Sequence, residues 1–184
     1  MRLFLAVFPT PEAQAVAARA TDALRATRGG NSVSWVKREN LHFTLRFLAD
    51  QDDAGMARAL AAAREAAAAR APFEVALGGL GAFPTAKRAR VLWAGLESGA
   101  ETMRKLSVTL EKALAKHGFP AADHDFEPHL TLGRVRTPAD WTERLVKAAS
   151  PEVRFKVERL VLVQSALAPG GSRYDVVGEA PLGK

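Results

Sequence analysis

Two short stretches, His42-Phe43-Thr44-Leu45 and His129-Leu130-Thr131-Leu132, repeat one pattern in a chain that holds only four histidines. In an extended strand, side chains two apart share a face, so each histidine stands beside its threonine. The residues between them point the other way, into a core. Imidazole titrates near neutral pH, and two of them in different surroundings can divide the work of general acid and general base. The threonine hydroxyls can donate to non-bridging phosphoryl oxygens, so preorganised donors rather than a metal would stabilise charge developing on phosphorus. By strict alternation Arg46 shares the face of His42 and Thr44, where its guanidinium would offset a phosphate charge. In-line hydrolysis of a cyclic phosphodiester suits this set. One histidine takes a proton from water and the other gives one to the departing ribose oxygen, with no covalent protein nucleophile and no cofactor.

The bulk properties permit that chemistry and exclude others. The chain has 184 residues, 48% of them hydrophobic and 25% charged, enough for a sizeable core in a soluble protein. It has no cysteine, which removes disulfides, thiolate nucleophiles and cysteine metal sites. The formal net charge of +6 favours a polyanionic partner. The apolar run Leu3 to Phe8 stops at Pro9, too short for a signal peptide, and is expected to be a buried strand. No stretch approaches the ~20 apolar residues that cross a bilayer. The expectation is a soluble cytoplasmic protein with no membrane association and no obligate protein partner.

The elements that must position the two motifs alternate along the chain. Arg2 to Phe8 reads as a strand; Thr10 can cap a helix with Pro11 in its first turn, closing at Gly29-Gly30. Ser32 to Val36 is a short strand, Leu41 to Leu48 the first motif strand, and Asp52 or Asp53 opens an alanine-rich helix reaching about Arg70. Phe73 to Gly81 is a strand, Phe83 to Ala89 an exposed basic turn and Arg90 to Glu97 another strand. Glu101 to His117 is a helix ended by Gly118, and His129 to Val135 is the second motif strand. A short helix over Asp140 to Ala149, one or two strands over Phe155 to Leu167 and a final strand after Pro169-Gly170-Gly171 complete the pattern.

The spacing points to a duplication. Phe4 and His42 are 38 positions apart, and Leu92 and His129 are 37 apart; from each motif histidine to the phenylalanine of the next strand the spans are 31 and 26. The fold class expected is α+β: two pseudo-two-fold lobes, roughly 1–82 and 89–168, with a terminal strand over 172–178. Each lobe would have a small mixed or antiparallel sheet with helices outside, and the motifs would meet at a central cleft.

The paired motifs resemble the two HxTx motifs of the two-histidine (2H) phosphoesterases. Arg2-Leu3-Phe4-Leu5-Ala6, Glu39 to Leu48, Pro128 to Arg134 and Val163-Gln164-Ser165 through Gly171 to Tyr174 together resemble the bacterial and archaeal RNA 2′,3′-cyclic phosphodiesterases, also called 2′-5′ RNA ligases. The resemblance implies a bilobal α+β fold and hydrolysis of RNA 2′,3′-cyclic phosphate ends to 2′-phosphate ends, an activity of RNA processing and repair. It implies His42 as proton donor, His129 as proton acceptor, and Thr44 and Thr131 as holders of the phosphate, without metal or other cofactor. The partner is RNA with a cyclic phosphate end, tRNA fragments among the candidates, and weak 2′-5′ joining is a side reaction to look for. Where such proteins often carry glycine after the first motif, this chain has Ala49-Asp50.

Other residues carry competing readings. Strict alternation puts Arg134 away from His129, but Gly133 can mark a bulge that returns it to the cleft, where the resemblance expects a phosphate or base contact. Phe4 and Tyr174 could stack on a nucleobase, although strand aromatics are more often core. Lys87, Arg88 and Arg90 read as a solvated turn. His117 suits a helix C-terminus whatever the function, and no spacing makes a metal site of His117, His124 and His129. The rival functions are 2H hydrolysis of small cyclic nucleotides and a non-catalytic module that grips RNA ends.

Overall fold

The computed structural model describes residues 1–183. Nine strands and four α-helices occur among the described residues: β1 (Arg2–Val7), α1 (Pro11–Arg25), β2 (Val33–Trp35), β3 (Phe43–Asp50), α2 (Asp53–Ala68), β4 (Phe73–Phe83), β5 (Ala89–Ser98), α3 (Ala100–Lys116), β6 (Leu130–Ala139), α4 (Thr142–Lys147), β7 (Val153–Val157), β8 (Arg159–Ala168) and β9 (Gly171–Pro181). The N-terminal capping signals act as the sequence predicts, whereas α1 ends at Arg25, ahead of Gly29-Gly30. The Thr10 hydroxyl accepts from the Ala13 amide, and the Asp52 carboxylate accepts from the Gly55 amide at 2.7 Å. Gly118 ends α3 with φ +81, a left-handed angle that costs glycine nothing. Ala49, where a glycine was the alternative, holds φ +57 and so carries local strain. No helix of the described residues is long and apolar enough to cross a membrane.

The strands form two antiparallel sheets ordered β3-β1-β8-β9 and β2-β6-β5-β4-β7. Matching β3-β1-β8-β9 to β6-β5-β4-β7 gives the expected pseudo-symmetry, with β2 as an added edge. The sequence halves and the sheets do not coincide, however. β4 pairs with β5 of the other half, and β8 returns to pair with β1. The short connection between β4 and β5 explains the first exchange, because closing a hairpin costs little loop entropy. The two lobes are therefore interlaced: residues 1–82 and 89–168 each contribute strands to both sheets.

One apolar cluster joins both sheets and the helices. It includes Leu3, Leu5 and Val7 of β1, Leu92 and Ala94 of β5, and Leu130 and Leu132 of β6. Leu130 and Leu132 are fully buried, which contributes roughly 1.5–3 kcal/mol each to holding the motif strand in place. The opposite face of the first sheet has its own small cluster of Phe4, Ala6, Val161 and Val163, flanked by Phe8 and Tyr174. The helices pack as the apolar stripes direct: α1 and α4 against the second sheet, α2 against β8, β9 and α3.

Each motif strand contains a bulge that strict alternation did not anticipate. In β3, Ala6 faces Thr44 and Leu5 faces Arg46, leaving Leu45 as an extra residue. In β6, Trp93 faces Thr131 and Leu92 faces Gly133, leaving Leu132 extra. Directly opposed residues share a side of the sheet, so Arg46 turns to the side of Leu5, away from Thr44. There its guanidinium lies 2.6 Å from the Glu111 carboxylate on α3 and donates also to the Pro120 carbonyl. Arg46 is thus a tie between β3 and α3, not a cleft residue. With Arg46 only 10% exposed, its loss strands a partly buried carboxylate. Arg46→Met is expected to lower stability by about 1–3 kcal/mol in denaturant unfolding. The double variant Arg46→Met/Glu111→Met should recover part of that loss, whereas additive losses would show that the pair is not the source.

Candidate active site

Both motif histidines stand one residue ahead of their strands rather than within them, since β3 begins at Phe43 and β6 at Leu130. The reason is a shared local hydrogen bond. His42 Nδ1 lies 2.6 Å from the carbonyl oxygen of Asn40, and His129 Nδ1 lies 2.7 Å from that of Glu127. A carbonyl only accepts, so each Nδ1 carries a proton and each neutral ring presents Nε2 as its lone-pair nitrogen. Asn40 is itself anchored, its side-chain amide donating to the Ser172 carbonyl at the start of β9. The His42 Nε2 receives the Thr44 hydroxyl at 2.8 Å.

The two rings have different walls. His42 stacks on Phe4 at 4.8 Å between centroids, with Phe8 at 5.4 Å and the Tyr174 edge at 5.3 Å. Phe4 is 2% exposed, so its ring supports His42 and has no surface to offer a nucleobase. Tyr174 is half-buried and packs edge-on against Phe4 and His42. His129 meets only the edge of Phe83, at 5.0 Å, and borders a cavity of about 210 Å³ lined also by Trp93, Gly95, Leu96 and Arg104.

Thr44 and Thr131 are half-buried on the cleft faces of their strands. The β6 bulge puts Arg134 opposite Val91, on the same face as Thr131 and Trp93. This is the return to the cleft that Gly133 allowed. A side chain at Gly133 would in fact meet Val33 and Trp35 within 2.6–2.8 Å, so only glycine lets β2 close on β6 here.

Electrostatics reports how closely these groups gather. Burial drives His42 down to about 4; the hydrogen bond to Asn40 opposes that fall, and the charges of His129 and Arg134 add to it. Burial also lowers His129, against the pull of the Glu127 carbonyl, with Arg134 again lowering it. Each histidine is therefore neutral at pH 7 in the open cleft, beside a single arginine whose charge reaches both.

The remaining sequence candidates lie elsewhere. Lys87, Arg88 and Arg90 are exposed in and beside a short 3-10 turn. His117 pairs with Glu65 on α2, and among the described residues no group of three His, Cys, Asp or Glu side chains gathers as metal ligands. The sequence reading missed Asn40, Glu127, Phe8, Phe83 and Trp93. Asn40 and Glu127 had a usable signal: each precedes its histidine by two residues, inside the repeat itself. Phe8 shares the parity of Phe4 beyond the end of β1, whereas Phe83 and Trp93 had no signal, because they depend on the register of β4 against β5.

A pair of carbonyl-pinned imidazoles, two hydroxyls and a cation is a set of groups capable of acid–base chemistry on an anionic phosphorus centre. Comparison with known proteins supports hydrolysis of a cyclic phosphodiester. The family pattern described as the 2′-5′ RNA ligase superfamily matches residues 8–168. A Methanothermobacter thermautotrophicus protein named RNA 2′,3′-cyclic phosphodiesterase is 33% identical over 178 residues, covering 95% of each chain. An Archaeoglobus fulgidus protein of the same name is 34% identical over 176 residues, covering 95% of this chain and 96% of its own. The crystal structure of a Thermus thermophilus protein superposes with a TM-score of 0.83 at 31% identity, over 99% of this chain and 98% of that one. The chain belongs to the 2′-5′ RNA ligase superfamily.

Proposed function

We propose that the protein hydrolyses RNA 2′,3′-cyclic phosphate ends to 2′-phosphomonoesters, with His42 as general acid and His129 as general base. One observation carries the reading: two histidines held in the same tautomer by main-chain carbonyls, each beside a threonine, with the charge of Arg134 reaching both. The shared name of the relatives supports the substrate class. RNA fragments of the cytoplasm, tRNA fragments among them, are the proposed natural pool.

The asymmetry of the walls supports the division of roles. His129 borders the open cavity, so a water can reach its free Nε2. His42, closed in by three aromatic rings, lies against the ribose side. Water oxygen bonds to phosphorus as its proton passes to His129 Nε2, and the P–O3′ bond breaks as His42 gives its Nε2 proton to O3′. Thr44, Thr131 and Arg134 hold the non-bridging oxygens. His42 must be imidazolium at that moment. The bound phosphate anion supplies the missing counter-charge and raises its pKa from the value in the free enzyme.

The direct test is an oligoribonucleotide ending in a 2′,3′-cyclic phosphate, incubated with and without EDTA. The expected product is the 2′-phosphate in both cases. Binding without turnover would leave only the end-gripping module, and faster turnover of mononucleotides than of oligomers would favour a small-nucleotide enzyme. His42→Ala and His129→Ala are each expected to lower kcat at least a hundredfold with unchanged circular dichroism; full activity in either would overturn its assignment.

The depressed histidines also set a pH dependence. In the free enzyme His42, the acid, is lowered to about 4, so kcat/KM should fall as pH rises through that range, while the lowered pKa of His129 keeps the base in its active neutral form. The basic limb of kcat should lie at higher pH, because the bound phosphate favours imidazolium. Arg134→Gln, which removes a charge that lowers both rings, should move the basic limb of kcat/KM upward. Superimposable profiles for the variant and the wild type would rule out an electrostatic role for Arg134.

A further inference from the structure

The arginines of this protein divide into those with a carboxylate and those without. Arg46, Arg104, Arg154, Arg159 and Arg173 each hold one at 2.6–3.1 Å. Arg88, Arg90, Arg134 and Arg136 are all exposed, and among the described residues none of them forms an ion pair. These four gather at one end of the second sheet. The 3-10 turn Ala86–Arg88 leads into β5, where Ala89 lies opposite Ala139 and Val91 opposite Arg134. The nearby Asp140 is already engaged: its carboxylate accepts from the Thr142 amide, and its charge faces Lys87 and Arg144. Uncompensated cations repel one another and weaken the fold, so such a cluster marks a place for an anion from outside.

Two of the four are aligned with the catalytic cleft. Val135 is buried opposite Val33, so Arg134 and Arg136 on either side of it turn to the cleft face. Two residues of strand advance roughly 6.6–6.8 Å, close to the backbone repeat of one nucleotide in a single strand. The charge of Arg134 reaches both histidines, and Arg136 is the next step along the same line. Arg90 adjoins Val91, the residue across from Arg134.

We infer that this stripe is the track for the sugar–phosphate chain on the 5′ side of the cyclic end, so that the enzyme selects a strand over a mononucleotide. The inference rests on the function proposed above. Arg134 engages the cyclic phosphate, Arg136 the first phosphodiester upstream of it, and Arg90 and Arg88 those that follow. A guanidinium forks onto the two non-bridging oxygens of a phosphodiester without touching the base. The track therefore reads length and charge rather than sequence. A mononucleotide brings only its cyclic phosphate and leaves Arg136, Arg90 and Arg88 unused.

The experiment compares adenosine 2′,3′-cyclic phosphate with a pentanucleotide ending in the same group. Wild-type kcat/KM should be about tenfold or more higher for the pentanucleotide, and added KCl should erode that advantage through KM. Arg136→Gln should lower the pentanucleotide's kcat/KM several-fold and its log–log salt slope by about 0.7, with less than a twofold change for the mononucleotide. Arg136→Lys should keep most of the advantage, and Arg136→Glu should abolish it. Arg90→Gln should act in the same direction as Arg136→Gln. A wild-type ratio near one would overturn the track. So would an Arg136→Gln enzyme that keeps the full ratio, or one that loses both substrates in step. If the wild type hydrolyses neither substrate, the proposed function falls, and the track falls with it as a determinant of that reaction.

Discussion

The site depends on one hydrogen bond made twice, from a histidine Nδ1–H to the carbonyl two residues earlier. It bends the chain into each motif strand, fixes the tautomer and aims Nε2 at the cleft. Neither carbonyl belongs to a long-range partner, so the aim of each ring is set within three residues. What the fold supplies is the support behind that local geometry. Leu130 and Leu132 lock β6 into the main core, and Phe4 backs the His42 ring from the second, smaller cluster. Local hydrogen bonding gives orientation; packing makes it rigid.

The motif histidines and threonines, the capped helices and the duplication were legible because each follows from local spacing. Alternation placed Thr44 and Thr131 towards the cleft and the intervening leucine and phenylalanine in the core. It failed one step later, and it failed in both motifs for the same reason. An extra residue, Leu45 in β3 and Leu132 in β6, inverts the parity beyond it. Strict counting therefore admitted Arg46 to the cleft and excluded Arg134, and the structure reverses both. The partner strand decides whether a bulge forms, and that pairing is long-range. The strand exchange between the sheets was hidden likewise, since β4 continues the first half in sequence but joins β5 in space.

The bulges also show how a symmetric scaffold carries asymmetric chemistry. A constant offset relates His42 to His129, Thr44 to Thr131, Arg46 to Gly133 and Phe47 to Arg134. Phe47, 62% exposed, thus occupies on the His42 side the position that a cation fills on the His129 side. Had both positions been arginine, each imidazole would face two cations and neither would readily hold a proton. One arginine is enough to attract a phosphate monoanion. In the proposed complex that anion would offset the arginine's charge and let one histidine charge.

Which histidine charges then follows from desolvation and from what each ring faces. The enclosed His42 gains most from an anion brought against it, because water does little there to screen the attraction. In the proposed reaction His129, which borders the cavity, stays neutral and keeps its lone pair for the attacking water. The depressed pKa of His42 in the free enzyme is what the proposed reaction needs its bound phosphate to reverse. In the proposed reaction the acid is made by the phosphate that it cleaves, and the proton is held only while there is something to protonate.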